Sequence, residues 1–161
     1  MNLSTLREFL KYSPESPSGL IWRKATRKTS AGSAAGSFQK QRGYYYVQIQ
    51  KKKYLAHRVV WALCHGAPPD GMDIDHIDMD GSNNRIENLR LASRSENHRN
   101  RKVRPDNKAG VKGLSLRSDG WEGRIFVDGK VHRKFSLSRE VVERWLADTR
   151  PRLHGEFSRH L

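Results

Sequence analysis

Residues 73–102, DIDHIDMDGSNNRIENLRLASRSENHRNRK, join an acid–histidine pair, Asp75-His76, to repeated asparagines and a basic tail. An imidazole titrates near neutral pH and can take a proton from water. Carboxylate and amide oxygens can hold a hard cation, and Lys and Arg attract phosphate. Asparagine is a poor acid or base, so its recurrence argues for holding rather than for proton transfer. A chain that must keep a metal beside a phosphate could use all three features together. Each residue also has a plainer role. An Asp-His pair can be a surface salt link, Asn88 a loop residue that satisfies backbone groups, and Asn97 a solvated helix residue. The joint spacing in one strongly basic segment favours the chemical reading. Asp73, Asp78 and Asp80 are weaker candidate ligands, because Asp78 and Asp80 belong to a turn. A structural role is expected for His57, and His98 is expected on another helix face than Asn97.

Those residues need a frame. MDID reads as a short strand, Asp80-Gly81 as a tight turn, and NLRLAS as a second strand with Leu89 and Leu91 inward. Ser93 and Glu96 make a capping box that starts a helix. Asp75 then ends the first strand and Asn97 lies one turn inside the helix, so the two can face each other across a small gap. Upstream, Leu3, Leu6, Phe9 and Leu10 share a helical face with Ser4 as the expected cap. LIWRKA reads as a strand, YYYVQIQ and KKKYLAH as a hairpin, and His57 to Cys64 as a helix closed by Gly66. Cys64 is expected as a small buried core residue. Downstream, RNRKVRPDNKAG reads as a basic linker. VKGLSLR, WEGRIFV and VHRKFSL follow as three strands with DG turns. A helix capped by Ser138 comes next, with Val141, Val142, Trp145 and Leu146 expected to face the sheet.

Composition narrows the partner. Thirty-one Lys and Arg stand against 17 Asp and Glu in 161 residues, a net charge of +14, and the pI is near 10.3. Such an excess points to a polyanion, most often nucleic acid. Only 35% of residues are hydrophobic, so small modules with thin cores are expected. The chain shows no apolar run long enough for a membrane span. Its single cysteine excludes an intramolecular disulfide and a multi-cysteine zinc cage. An intracellular setting is expected.

DHID, NRIENLR and SENHRN together resemble the HNH nucleases, the ββα-metal or His-Me finger group, in their phage and intron-associated branch. The resemblance covers residues 57–102. Asn88 follows His76 by twelve positions and Asn97 follows Asn88 by nine, as in that branch. It implies that Asp75 and Asn97 hold one Mg²⁺ or Mn²⁺ and that His76 is the general base. It also implies that Asn88 fixes the loop or orients the His76 ring. Family members with paired Cys-x-x-Cys zinc sites are a different branch. The tail residues Arg94, Arg99, Arg101, Lys102 and Arg104 are expected on DNA phosphates.

The segment from Gly110 to Leu146, with the later LHGEF, resembles the DNA-binding domain of plant ethylene-response factors. That likeness implies a three-stranded sheet laid in the major groove, with Arg117, Arg124, Lys130 and Arg133 facing DNA. Trp121, Ile125 and Trp145 are expected in the core. The chain departs from that family's pattern at Lys134, where a glycine usually precedes the aromatic. The expected fold is α+β: an N-terminal region 1–56, an HNH core 57–104 and a sheet-plus-helix module 105–161. The expected function is a homing-type endonuclease acting on double-stranded DNA as a monomer or homodimer. The rivals are a phage nuclease for packaging or host-DNA degradation, a DNA-binding protein with a non-functional nuclease site, and a structural RNA-binding protein.

Overall fold

The computed structural model describes residues 2–25, 27–99, 103 and 106–158, with the backbone alone at Glu156. The fold is α+β, built from short helices and small antiparallel sheets. The chain divides into two compact units, Met1–Arg94 and Ser95–Leu161. Among the described residues no helix is long and apolar enough to cross a membrane.

The first unit opens with α1 (Leu3–Phe9), β1 (Leu10–Tyr12) and β2 (Leu20–Trp22), the two strands pairing antiparallel. Asn2, not Ser4, caps α1: its side-chain oxygen accepts from the Ser4 N–H at 3.0 Å. Ser4 lies inside the first turn, and the residue two positions earlier has the extended backbone that a cap requires. β3 (Ser37–Gln39), β4 (Tyr44–Ile49) and β5 (Lys52–Leu55) form a meander. Val47 and Ile49 alternate inward on β4, as the YYYVQIQ pattern requires. α2 (Ala56–His65) buries Ala56, Val59, Val60 and Ala62 against Leu6, Leu10, Leu20 and Val47. Cys64 is exposed, contrary to expectation. Its helical turn is the last one, next to the exposed His65 and beyond the buried stretch 56–62.

β6 (Met72–His76) and β7 (Leu89–Ser93) form an antiparallel ribbon, with Asp75 opposite Arg90 and His76 opposite Leu89. Ile74, Leu89 and Ala92 root this ribbon in the core. The intervening loop presses on β4. A Cβ at Gly81 would stand 2.5 Å from the Gly43 carbonyl oxygen and 2.6 Å from the Tyr44 ring, so only glycine fits.

α3 (Arg94–Arg99) begins on the last residue of the first unit and continues into the second. There β8 (Leu114–Arg117), β9 (Gly120–Val127) and β10 (Lys130–Ser136) form a sheet in the order β10-β9-β8. Asp128 and Gly129 turn the last hairpin with φ of 47° and 76°, the left-handed pair that a two-residue hairpin turn requires. α4 (Arg139–His154) lies across the sheet, and Ser138 caps it by accepting from the Val141 N–H. Gly123 allows the close approach, since a Cβ there would meet Val142 at 2.7 Å and Trp145 at 3.1 Å. Val142, Leu146, Leu114, Ile125 and Val111 form the core, with Trp121 and Trp145 packed against it. Val141, expected on the sheet, is 47% exposed. It sits one residue before Val142, about 100° round the helix from the buried face.

Candidate active site

His76 ends β6 and is 5% exposed. Its Nε2 lies 3.0 Å from Oδ1 of Asn84, itself 3% exposed. The Asn84 amide has no freedom to turn round, because its Nδ2 donates to the Ser18 carbonyl at 3.0 Å. An amide oxygen only accepts, so Nε2 of His76 must carry the proton and the lone pair of the neutral ring sits on Nδ1. Ser18 is pinned in turn. It is buried, and its hydroxyl donates to the Ala35 carbonyl. Ser18, just before β2, therefore helps to set the tautomer of a histidine more than fifty positions along the chain.

Two further rings stand against His76. His57, on α2, meets it edge to face at a centroid distance of 4.8 Å and an interplanar angle of 76°. Tyr44 lies 5.5 Å from His57 and 5.9 Å from His76. Burial drives the His57 pKa down to about 3, helped by the neighbouring His76 and Arg58. His57 is thus neutral beside the candidate base. Its Nδ1 is buried with no hydrogen-bond partner among the described residues.

Between the two strands, asparagines and aspartates hold the loop. Asn88 Oδ1 accepts from the Asp78 N–H at 3.0 Å, and its Nδ2 donates to Asp78 Oδ1 and to the Asn83 carbonyl, both at 2.9 Å. Asn83 donates to the other Asp78 oxygen at 2.7 Å. Burial pushes the Asp78 carboxyl up, but hydrogen bonds from the Asp80 N–H and from Asn83 and Asn88 outweigh it, so it lies below the usual range. The hydroxyl and N–H of Ser82 hold Asp80 low in the same way. Met79 sits at φ 65°, a left-handed conformation that costs a side-chain-bearing residue about 1–3 kcal/mol and is kept by these bonds. The Tyr12 hydroxyl accepts the Ile86 N–H at 3.1 Å and fixes the turn that delivers Asn88. All of the Asn88 amide bonds described here go to the loop, whereas Asn84 holds the ring. Asn84 is the residue that sequence reasoning passed over.

Asp75 is nearly buried and paired. Arg90, its cross-strand neighbour, reaches Oδ2 with Nε at 3.1 Å and a terminal nitrogen at 3.0 Å. Both side chains are about 10% exposed, at 11% and 10%. The grip fixes the carboxylate rotamer. Among the described residues no three His, Cys, Asp or Glu side chains gather to hold a metal. HNH nucleases generally use a divalent metal, and the residue types expected to hold it, a carboxylate and an amide, are oxygen donors. A carboxylate with an amide oxygen suits a hard cation that keeps several waters and takes oxygen from a phosphate. Asn97 would be the second donor; it lies on α3, four residues past the end of β7.

The basic residues divide. Arg94 is exposed. Arg101, Lys102 and Arg104 lie outside the described residues. In the second unit Arg99 pairs with Asp128 at 3.1 Å. Arg117 and Arg124 converge on one oxygen of Glu122, at 2.6 and 2.8 Å. Their hydrogen bonds, led by Arg124, draw the Glu122 carboxyl down to about 2. Pairing places Arg133 opposite Arg124 and Arg117 opposite Gly120. Gly123 meets α4, so strand alternation puts Arg117, Arg124 and Arg133 on the open face of the sheet. Phe126 and Phe135 share that face and are 63% and 48% exposed. Lys130, opposite Val127, alternates to the other side.

A family model described as HNH endonuclease matches residues 54–99, the stretch that contains His57, Asp75, His76, Asn84, Asn88, Arg90 and Asn97. Protein 3.8 of Escherichia phage T7 is 40% identical to the chain over 105 residues, which is 64% of this chain and 87% of that protein. No solved structure matches the chain.

Proposed function

The chain belongs to the family of Protein 3.8 and carries an HNH endonuclease domain, and from this we propose that it is a metal-dependent, site-specific DNA endonuclease of the homing type. The observation that carries the reading is the Asn84–His76 hydrogen bond, which leaves the proton-accepting lone pair on Nδ1. His76 takes a proton from a water molecule as that water attacks phosphorus. The P–O3′ bond breaks and its electron pair leaves with the 3′ oxygen, which takes a proton from solvent water, giving a 5′ phosphate and a 3′ hydroxyl end. Asp75 and Asn97 would hold one Mg²⁺ or Mn²⁺, with Arg90 keeping the Asp75 carboxylate aimed. When bound, that cation supplies positive charge to the phosphate and to the departing oxygen. Asn88 keeps the loop in shape for His76.

A single centre cuts one strand, so a monomer nicks, and a double break takes a homodimer or a second binding event. The sheet of the second unit presents Arg117, Arg124 and Arg133 to double-stranded DNA, with Arg94, Arg99, Arg101, Lys102 and Arg104 on backbone phosphates. The likeness to a phage protein favours a second reading with the same chemistry, a phage nuclease for packaging or host-DNA degradation in the cytoplasm of a bacterial host. A DNA-binding protein with a non-functional site would need neither Asp75 nor His76.

The test is incubation of supercoiled plasmid with the protein, with and without Mg²⁺, beside a His76→Ala variant. The parent should nick only with the cation. The variant should lose about 10²–10⁴-fold in rate while its gel-shift affinity stays near the parent's. A variant that cleaves within tenfold of the parent removes His76 from the mechanism.

A further inference from the structure

The second unit holds a cavity of about 390 Å³ whose lining includes His98, Arg99, Lys112, Arg124, Arg150 and His154. That is a dense gathering of cations. Arg150 is 2% exposed and donates to the Lys112 carbonyl at 2.5 Å. Gly113 makes room for it, since a Cβ there would stand 3.1 Å from the guanidinium and 2.3 Å from the Arg124 carbonyl oxygen. Burying a guanidinium is costly, and burial depresses the Arg150 pKa. The fold has put positive charge where the solvent cannot fully screen it.

Two polar atoms of this lining are buried without a hydrogen-bond partner among the described residues: Nε of Arg124 and Nδ1 of His154. An arginine Nε–H can only donate, so it needs an acceptor. His154 places Nε2 3.1 Å from the Phe126 carbonyl oxygen, so Nε2 carries the proton there. Its Nδ1 becomes a second donor once the ring is protonated, which a bound anion would favour. The carboxylates paired with two of these cations, Asp128 with Arg99 and Glu122 with Arg124, do not line the cavity.

We propose that this cavity, lined by residues of the second unit alone and by none of Asp75, His76, Asn88 and Asn97, is a phosphate-holding site. A phosphate offers acceptors in several directions to guanidinium and ammonium donors. The volume exceeds what the bare anion needs and falls in the range that takes a small organic group. The phosphate is therefore one carried on a sugar, in the DNA backbone or in a free nucleotide. The cavity goes beyond the nuclease reading, and only the backbone source rests on it.

Thermal unfolding of the full chain without Mg²⁺, in sodium phosphate or a deoxynucleoside monophosphate against sodium chloride at matched ionic strength, tests this. The parent should show a saturable rise in Tm with phosphate and a larger one with the nucleotide. Arg124→Lys keeps the charge and removes the Nε donor, and it should weaken the apparent affinity by roughly tenfold or more. Lys112→Met should do the same. A short duplex, added first, should abolish the nucleotide shift if the backbone fills the cavity. An additive shift instead assigns the site to free nucleotides. Equal shifts in phosphate and chloride, or a phosphate shift unchanged in both variants, overturn the proposal. Plasmid nicking by the same preparations keeps the two ideas apart. Nicking without a phosphate-specific shift sinks the cavity alone, and the shift without nicking sinks the nuclease reading alone.

Discussion

Nε2 of His76 lies 3.0 Å from Oδ1 of Asn84, and the Asn84 amide nitrogen is committed to the Ser18 carbonyl. Together these bonds make one tautomer the favoured one. Asn84→Leu should free the ring to populate the other tautomer and to rotate. Nicking should fall by about 10–10²-fold while DNA affinity holds. A long-range proton–nitrogen spectrum should show the Nε2–H tautomer for His76 in the parent and a mixture in the variant. An unchanged spectrum with an unchanged rate would show that Asn84 does not set the tautomer.

His57 carries a pH signature. Its folded pKa is near 3, against about 6.5 for an exposed histidine. The unfolded chain therefore binds the extra proton between these values and the folded chain does not. Stability is fully present above pH 6.5 and declines as the pH falls towards 3, by at most about 1.4 kcal/mol per unit from this group. His154, also lowered by burial, slopes the same way. Asp78 and Asp80 add to the decline only as the pH falls below the ordinary carboxylate range. The informative quantity is thus the difference between the parent and His57→Phe, followed by urea unfolding between pH 4.5 and 7. The variant should show the shallower slope. Parallel curves would mean that His57 titrates normally.

Arg90 and Asp75 form a pair that is about nine-tenths buried. Arg90→Ala leaves a buried carboxylate without this cation, and breaking such a pair typically costs about 3–5 kcal/mol. The variant should unfold at distinctly lower urea concentration, and its residual nicking should need more Mg²⁺ because the Asp75 rotamer is loosened. Arg90→Lys should recover part of the stability but less of the metal affinity, since one ammonium cannot reproduce the two-nitrogen grip. Equal stability in parent and alanine variant would show the pair to be dispensable.

Local signals in the chain were enough for the α+β class, the ribbon around Asp80-Gly81, the hairpin at Asp128-Gly129 and the Ser138 cap. Each is written within a few neighbouring residues. Asn84 was not legible because its partner Ser18 is 66 positions away, and no local pattern distinguishes it from Asn83 beside it. Arg90 reads as one more basic residue until the register sets it opposite Asp75. Cys64 and Val141 were misplaced for a related reason. Helical periodicity names a face but does not say where the packed neighbour ends. The role of Glu122 in gathering Arg117 and Arg124 likewise depends on three strands being aligned.

The metal donors make the last test. Asp75 and Asn97 each offer oxygen, but the two substitutions that interconvert carboxylate and amide should not behave alike. Asp75→Asn keeps the size and one oxygen while deleting the negative charge, and Mg²⁺ binds anionic oxygen best. It should raise the Mg²⁺ concentration for half-maximal nicking. It also leaves Arg90 facing a neutral amide, so stability must be measured alongside. Asn97→Asp adds negative charge beside the phosphate. It should lower that concentration or leave it steady while reducing the maximal rate, because the substrate is repelled. Mg²⁺ is titrated for the parent and both variants at fixed ionic strength, since salt alone weakens phosphate binding by so basic a chain. If neither variant moves the midpoint, the cation is held elsewhere. Asp73 would then be the next ligand to test, ahead of Asp78 and Asp80, whose oxygens already hold the loop.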